Sequence, residues 1–234
     1  MKSHRTPECH NCDTRQQGIF CELDTAAAKE LDQRKISNIY KKGQVIFYEG
    51  NQSFGMYCVS KGHVKLYKTG IDGKQQILRV AGPGDVLGYR ALLANEPYQA
   101  TAEAIEEVEI CSLDKNSFSQ VLKKEPSLAM NLIKKLAQEL GTAENLATSI
   151  AQKSVRERMA ELLLSLARAY GEGDGSRISL SLTREELGNM IGVTQETSIR
   201  LISDFKEENL IEVKGREICI VDAERLADIA GIEI

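Results

Sequence analysis

Thr183-Arg184-Glu185-Glu186-Leu187-Gly188-Asn189-Met190-Ile191-Gly192-Val193-Thr194-Gln195-Glu196-Thr197 is the stretch from which the fold can be read. It opens on a capping box. The Thr183 hydroxyl can accept from the backbone N–H three residues on, and Glu186 can reach back to the Thr183 N–H. The helix that follows carries Leu187 and Ile191 on one face and stops at Gly192-Val193. Thr194 can cap a second helix from Gln195 to about Glu207, with Ile199, Leu201, Ile202 and Phe205 as expected core points. Two short helices joined by a tight glycine-containing turn make a helix-turn-helix. Ile211-Glu212-Val213 and Ile218-Cys219-Ile220, joined through Lys214-Gly215-Arg216-Glu217, add a hairpin wing.

Such a unit sends the N-terminal end of its second helix into the DNA major groove. Gln195, Glu196, Ser198, Ile199 and Arg200 form the groove-side set. Arg200 can pair bidentately with guanine, and Glu196 can accept from cytosine N4. Thr183, Arg184, Thr194, Thr197, Lys214 and Arg216 suit phosphates, which position the helix without reading sequence. Total charge speaks the other way: the 234-residue chain carries a net −4, and residues 183–216 hold more acids than bases. Binding to double-stranded DNA must therefore rest on a few well-placed cations and not on a basic coat.

Upstream, Ala129, Ile133, Leu136, Leu140, Ala143, Ala147 and Ile150 follow a 4-3-4-3-4-3 spacing, the heptad seam that winds two helices together. A helix packed on its own β-domain would give a similar narrow stripe, but a two-fold dimer suits a palindromic site. Another amphipathic helix after Lys153 (Val155, Met159, Leu162, Leu163, Leu166) runs to Tyr170, where Gly171-Glu172-Gly173-Asp174-Gly175 breaks it. From Lys41 to Leu113, short β-type runs alternate with glycine turns, a texture that predicts an all-β roll. The runs centre on Val45-Ile46-Phe47, Met56 to Val59, Val64 to Tyr67, Gln76 to Val80 and Val108 to Cys111; Asp72-Gly73 reads as a hairpin turn. Thr25 to about Ile36 reads as a short helix. The chain is thus α+β: a cysteine-bearing arm over 1–24, a β-roll over 25–125, a dimer helix over 126–152 and a winged helix-turn-helix over 153–234.

No apolar run approaches the roughly 20 residues a membrane helix needs, and the polar start lacks the apolar core of a secretory signal. A cytoplasmic homodimer with no membrane partner is expected, and there a disulfide framework has little place for the six cysteines. No Gly-x-Ser-x-Gly, phosphate-binding loop or His-Glu-x-x-His is present, so no enzyme is expected.

The Thr183–Thr197 stretch followed by Arg200 resembles the C-terminal motif of the CRP/FNR regulators, and the resemblance extends over the β-roll, the long helix and the winged helix. It implies a cyclic-nucleotide-binding-like jelly roll, dimers on palindromic promoters, and RNA polymerase as a partner. It also implies that residues at the positions of Glu196 and Arg200 read a TGA core in each half-site. Nucleotide-binding members carry a Gly-Glu-x-Ala-Leu sequence and an Arg-Ser/Thr-Ala sequence. Here stand Gly88-Tyr89-Arg90-Ala91-Leu92 and Tyr98-Gln99-Ala100. Tyr89 cannot supply the carboxylate for a ribose hydroxyl, and Tyr98 replaces the arginine for the cyclic phosphate. Cyclic AMP is not the expected effector.

Cys9-His10-Asn11-Cys12, then Cys21 and the distant Cys111, resemble the FNR-type oxygen sensors, in which three N-terminal cysteines and one distant cysteine hold a 4Fe–4S cluster. The Cys12-to-Cys21 gap is wider than in the best-known members. The pattern leaves other readings open: a structural zinc on cysteines or His10, a thiol redox switch, or an arm without metal. Cys58 and Cys219 lie within β-type runs and read as small buried side chains.

Overall fold

The computed structural model describes residues 8–173 and 176–232; the first seven residues of the expected arm, Asp174-Gly175 of the expected glycine loop and the last two residues lie outside the described ones. Two 3-10 turns, Cys9–Asn11 and Asp13–Gln17, precede helix α1 (Thr25–Arg34). Strands β1 (Ile36–Tyr40), β2 (Val45–Phe47), β3 (Gly55–Lys61), β4 (Val64–Thr69), β5 (Gln75–Ala81) and β6 (Val86–Leu87) lead to helix α2 (Tyr89–Ala94). Strands β7 (Thr101–Ala104) and β8 (Val108–Asp114) are followed by α3 (Lys115–Lys124), α4 (Pro126–Gln152) and α5 (Val155–Tyr170). Then come β9 (Gly171–Glu172), β10 (Arg177–Ile178), α6 (Arg184–Ile191), α7 (Gln195–Glu207), β11 (Ile211–Lys214), β12 (Glu217–Ile220) and α8 (Ala223–Ala230).

These elements form two compact units. One runs to Lys68 and resumes over Leu78–Gly141; the other takes Thr69–Ile77 and everything from Thr142. The division falls inside α4, at Gly141, and not at the ends of that helix. No helix among the described residues is long and apolar enough to cross a membrane.

In the first unit two antiparallel sheets, ordered β1-β8-β3-β6 and β2-β7-β4-β5, enclose a core that includes Phe47, Val59, Val64, Ala102, Val108 and Ile110. Alternation along each strand sends the next residues to the opposite face. Met56 and Leu113 therefore lie on the outer face of the first sheet, where Ile19, Phe20, Leu31, Phe118, Leu128 and Leu132 cover them. The helix expected to reach Ile36 stops at Arg34. Ile36 pairs with Ser112 as the first residue of β1, and a β-branched residue entering a sheet register overrides the weak helical period that placed it earlier.

Helix α4 has the bounds expected of the dimer helix, and it carries two apolar faces. Leu128 and Leu132 are fully buried in their own β-roll. Ile133, Leu140 and Ile150 stand 57%, 61% and 47% exposed, and Ala143 and Ala147 are exposed beside them. Leu136 is shared: it is half-buried and packs against the core of its own unit.

The second unit is built round Met159, Leu163 and Leu166 of α5 with Leu187, Ile202 and Phe205 of the helix pair. Ser154 and Glu157 form a capping box that starts α5. Where α6 and α7 cross, a Cβ on Gly188 would sit 3.0 Å from the Val193 carbonyl oxygen and 3.4 Å from the Ser198 Cβ. Ser198, expected on the groove side, is fully buried at this crossing; only a small residue fits under the glycine. Gly188→Val should therefore push the helices apart, with a cost of about 1–3 kcal/mol for overpacking. A melting temperature unchanged by Gly188→Val would show that the crossing has room for a larger side chain.

Candidate nucleic-acid interface and cysteine cavity

The capping box at Thr183 forms as the sequence implies. The Glu186 N–H donates to the Thr183 hydroxyl at 3.1 Å, and the Thr183 N–H donates to the Glu186 carboxylate at 2.9 Å. The hydroxyl of Thr183 also donates to that carboxylate at 3.0 Å, so it is occupied within the cap. Arg184 is half-buried and donates from Nη2 to the Gly215 carbonyl at 3.1 Å, which ties α6 to the wing turn. Thr194 caps α7 by accepting from the Thr197 N–H at 3.3 Å, with Thr197 half-buried behind it.

Gln195, Glu196, Ile199 and Arg200 project from the first turns of α7, all exposed, and Lys214 and Arg216 are exposed at the wing tip. Ile199, expected both as a core point and on the groove side, stands 48% exposed, because the buried stripe of α7 is Ser198, Leu201, Ile202 and Phe205. A backbone N–H and the Thr194 hydroxyl hold the Glu196 carboxyl below its usual range, keeping it an acceptor. The surface thus offers a carboxylate and a guanidinium one helical turn apart on a helix end, flanked by two wing cations. That is a set able to read base edges and hold phosphates.

Of the cysteines, Cys9 and Cys12 on the arm and Cys111 on β8 line one cavity, together with Cys58 of β3, Arg15, Lys35 and an apolar wall of Phe20, Leu31, Met56 and Leu113. Cys21 is exposed and lies outside that lining. Asp32 pins the arm: its Oδ1 accepts from the Cys9 N–H at 2.5 Å, and its Oδ2 pairs with His10 Nδ1 at 3.1 Å. Lys35, its side chain almost fully buried, sits 2.8 Å from Asp32 and donates to the Cys9 sulfur at 3.3 Å. Ser37 Oγ lies 3.2 Å from the Cys111 sulfur. Burial pushes the Cys9 thiol up to about 12, partly offset by the Lys35 ammonium, and raises Cys58 and Cys111 as well. Burial acts against the charge of Lys35 too, but Asp32 and the cysteines outweigh it and hold the ammonium above its ordinary range.

Among the described residues, no three His, Cys, Asp or Glu side chains converge tightly enough to grip a single metal ion. The four cysteines stand round the cavity instead. That suits an iron–sulfur cube, which meets each thiolate at a different iron, and a nearby buried cation suits the anionic charge of such a group. Cys58, expected as a small buried side chain, is half-buried and lines this cavity, and Lys35 was not among the expected site residues. A two-residue alternation, Met56-x-Cys58 against Cys111-x-Leu113, was visible, but the register joining the two runs was not.

Residues 38–125 match the family model of the cyclic nucleotide-binding domain, and residues 157–229 match the Crp-like helix-turn-helix domain. The chain belongs to the CRP/FNR family of transcription regulators. Among its relatives is Electron transport regulator A of Shewanella oneidensis, 30% identical over 95% of this chain and 90% of that protein. Another is the CRP-like cAMP-activated global transcriptional regulator of Mycobacterium tuberculosis, 29% identical over 90% of this chain and 95% of that protein. The solved structure of FixK2 from Bradyrhizobium japonicum superposes with a TM-score of 0.77 at 26% identity, over 86% of this chain and 99% of that one. As a CRP/FNR member the protein is a DNA-binding transcription regulator and not an enzyme.

Within this CRP/FNR roll the two tyrosines singled out in the sequence are structural. Tyr98 is 2% exposed and stacks on Phe47 at 4.2 Å. Its hydroxyl donates to the Gly55 carbonyl at 2.9 Å and accepts from the Phe54 and Gly55 N–H groups at 3.1 and 3.2 Å. Tyr89 is equally buried, and burial followed by Glu139 of α4 raises its phenol above the ordinary range. Arg90 is exposed.

Proposed function

We propose that this regulator responds to oxygen, nitric oxide or a related redox signal through a 4Fe–4S cluster at the arm cavity, and binds TGA-containing palindromes as a cytoplasmic homodimer that engages RNA polymerase. The observation that carries the reading is the meeting of Cys9 and Cys12, from the arm, with Cys111, from β8, round one cavity beside a buried lysine. Cys9, Cys12 and Cys111 would supply three thiolates, and Cys21 is the fourth by resemblance. When bound, the cluster supplies a centre that oxidants and nitric oxide destroy. Cys9, Cys12 and Cys111 would hold the group as thiolates, so their protons would have to leave on binding.

The chain's own residues carry the consequence to the dimer helix. With a cluster bound, Cys9 and Cys12 would tie the arm to Cys111 of β8, which lines the same cavity. The arm in turn packs Ile19 and Phe20 against Leu128 and Leu132 of α4, and Asn131 of α4 donates to the Ile19 carbonyl at 3.2 Å. Freeing the arm removes those contacts from the start of α4, the helix whose exposed seam pairs the two copies. Regulation then needs only that the two arm states favour dimer geometries of different DNA affinity. Cyclic AMP is not the effector in this reading, because Tyr98 spends its hydroxyl on the β3 backbone where the resemblance places a phosphate-binding arginine.

Protein purified without air should be brown, with about four irons and about four sulfides per chain by the cubane count. Colourless anaerobic protein holding one tight zinc would overturn the reading in favour of a structural metal.

A further inference from the structure

We infer that Cys58, and not Cys21, supplies the fourth thiolate of the cluster site. The inference rests on the cluster reading above and concerns which sulfur completes it. Cys58 and Cys111 are direct partners in the antiparallel pairing of β3 with β8. Residues opposite one another in such a pair share a face, with Cβ atoms about 4.5–5.5 Å apart. The face is the outer one. Met56 and Leu113, two residues along each strand, belong to the core under the arm, and Cys9 and Cys58 pack against that same core. Cys9, Cys12, Cys58 and Cys111 all line the cavity that also receives Lys35. Two sulfurs thus come from a fixed pair of strands and two from the Cys9–Cys12 turn, which gives the four that a cube needs.

Cys21 is placed elsewhere. It lines a separate, polar recess with Asp85, Lys134, Lys135 and Gln138, and its sulfur lies 3.8 Å from Asn131 Nδ2. The intervening arm is held against the Gly82-Pro83-Gly84 turn: a Cβ on Gly18 would collide with the Gly84 carbonyl oxygen. Bringing Cys21 to the cavity would mean lifting this segment and withdrawing Ile19 and Phe20 from the core. The wide Cys12-to-Cys21 gap, a departure from the family pattern, then has a structural counterpart, since the second half of the arm serves to cover α4.

Alanine variants of the full chain, prepared without air, test the assignment; alanine is chosen because a serine hydroxyl can itself bind iron. Iron and sulfide counts and the visible absorption are read alongside far-ultraviolet circular dichroism. Cys58→Ala should fall from about four irons per chain to below about one, while Cys21→Ala keeps about four. A full cluster in Cys58→Ala, or a bleached Cys21→Ala, would overturn the assignment and leave the cluster reading standing. Wild-type protein without iron–sulfur absorption would overturn the cluster reading itself. Should Cys58→Ala fail to fold, alkylation of wild-type protein by iodoacetamide decides. Cys21 should be alkylated in cluster-loaded protein without loss of the visible absorption, and a Cys21 that stays unmodified until the cluster is lost would overturn the assignment.

Discussion

Leu140→Glu should leave the protein monomeric in sedimentation at micromolar concentration, where the parent chain is expected to sediment as a dimer. Leu140 is 61% exposed on a face of α4 that also shows Ile133 and Ile150, while Leu128 and Leu132 already satisfy the β-roll. An isologous interface counts each substitution twice. Losing the burial of two leucines removes roughly 3–6 kcal/mol, on the order of 10²- to 10⁴-fold in dimer affinity, before the cost of two opposed carboxylates. The seam itself contains no ionisable residue, and the nearby Glu139 is paired with Arg79 of its own chain at 3.2 Å. Cluster-free protein should accordingly remain a dimer. A Leu140→Glu dimer as tight as the parent would place the interface somewhere else.

Arg200→Ala should erase base preference in the half-site core, with a loss of about 1–3 kcal/mol in discrimination, or roughly 5- to 150-fold. The guanidinium is exposed one turn into α7 on the side of Glu196, and the cap at Thr194 fixes where that turn begins. Lys214→Ala makes the contrast. From the wing tip it should weaken matched and mismatched sites alike and lower the salt dependence, as a phosphate contact does. Competition titrations at fixed salt with single-base variants of the palindrome would separate the two patterns. If Arg200→Ala kept both affinity and preference, α7 would not be the reading helix.

The helix-turn-helix was legible because its signals are local. A capping box, a glycine under a helix crossing and a second cap each fix their own geometry within a few residues, and the bounds of α6 and α7 follow from them. The heptad of α4 was legible for the same reason, although its period could not say that Leu136 leans into its own core. The strands β1, β6 and β7 carried too few apolar residues to stand out, and sheet pairing, a long-range property, created them. The same applies to the cysteines. Cys9-x-x-Cys12 is visible as a motif, whereas the meeting of Cys58 with Cys111 depends on the register of strands about fifty residues apart in sequence. Lys35 reaches the cavity only because α1 ends one residue before it and the chain turns into β1.

The most direct test of the whole account is one titration performed twice on one sample. The anaerobic, brown protein is titrated with a TGA-containing palindrome, then exposed to nitric oxide or air until the absorption bleaches, and titrated again at the same salt concentration. Affinity for the palindrome should change by about fivefold or more, the lower end of a coupling of roughly 1–3 kcal/mol, with the protein dimeric in both states. Equal affinities before and after bleaching would contradict it, since a sensor that leaves DNA binding untouched regulates nothing through this arm.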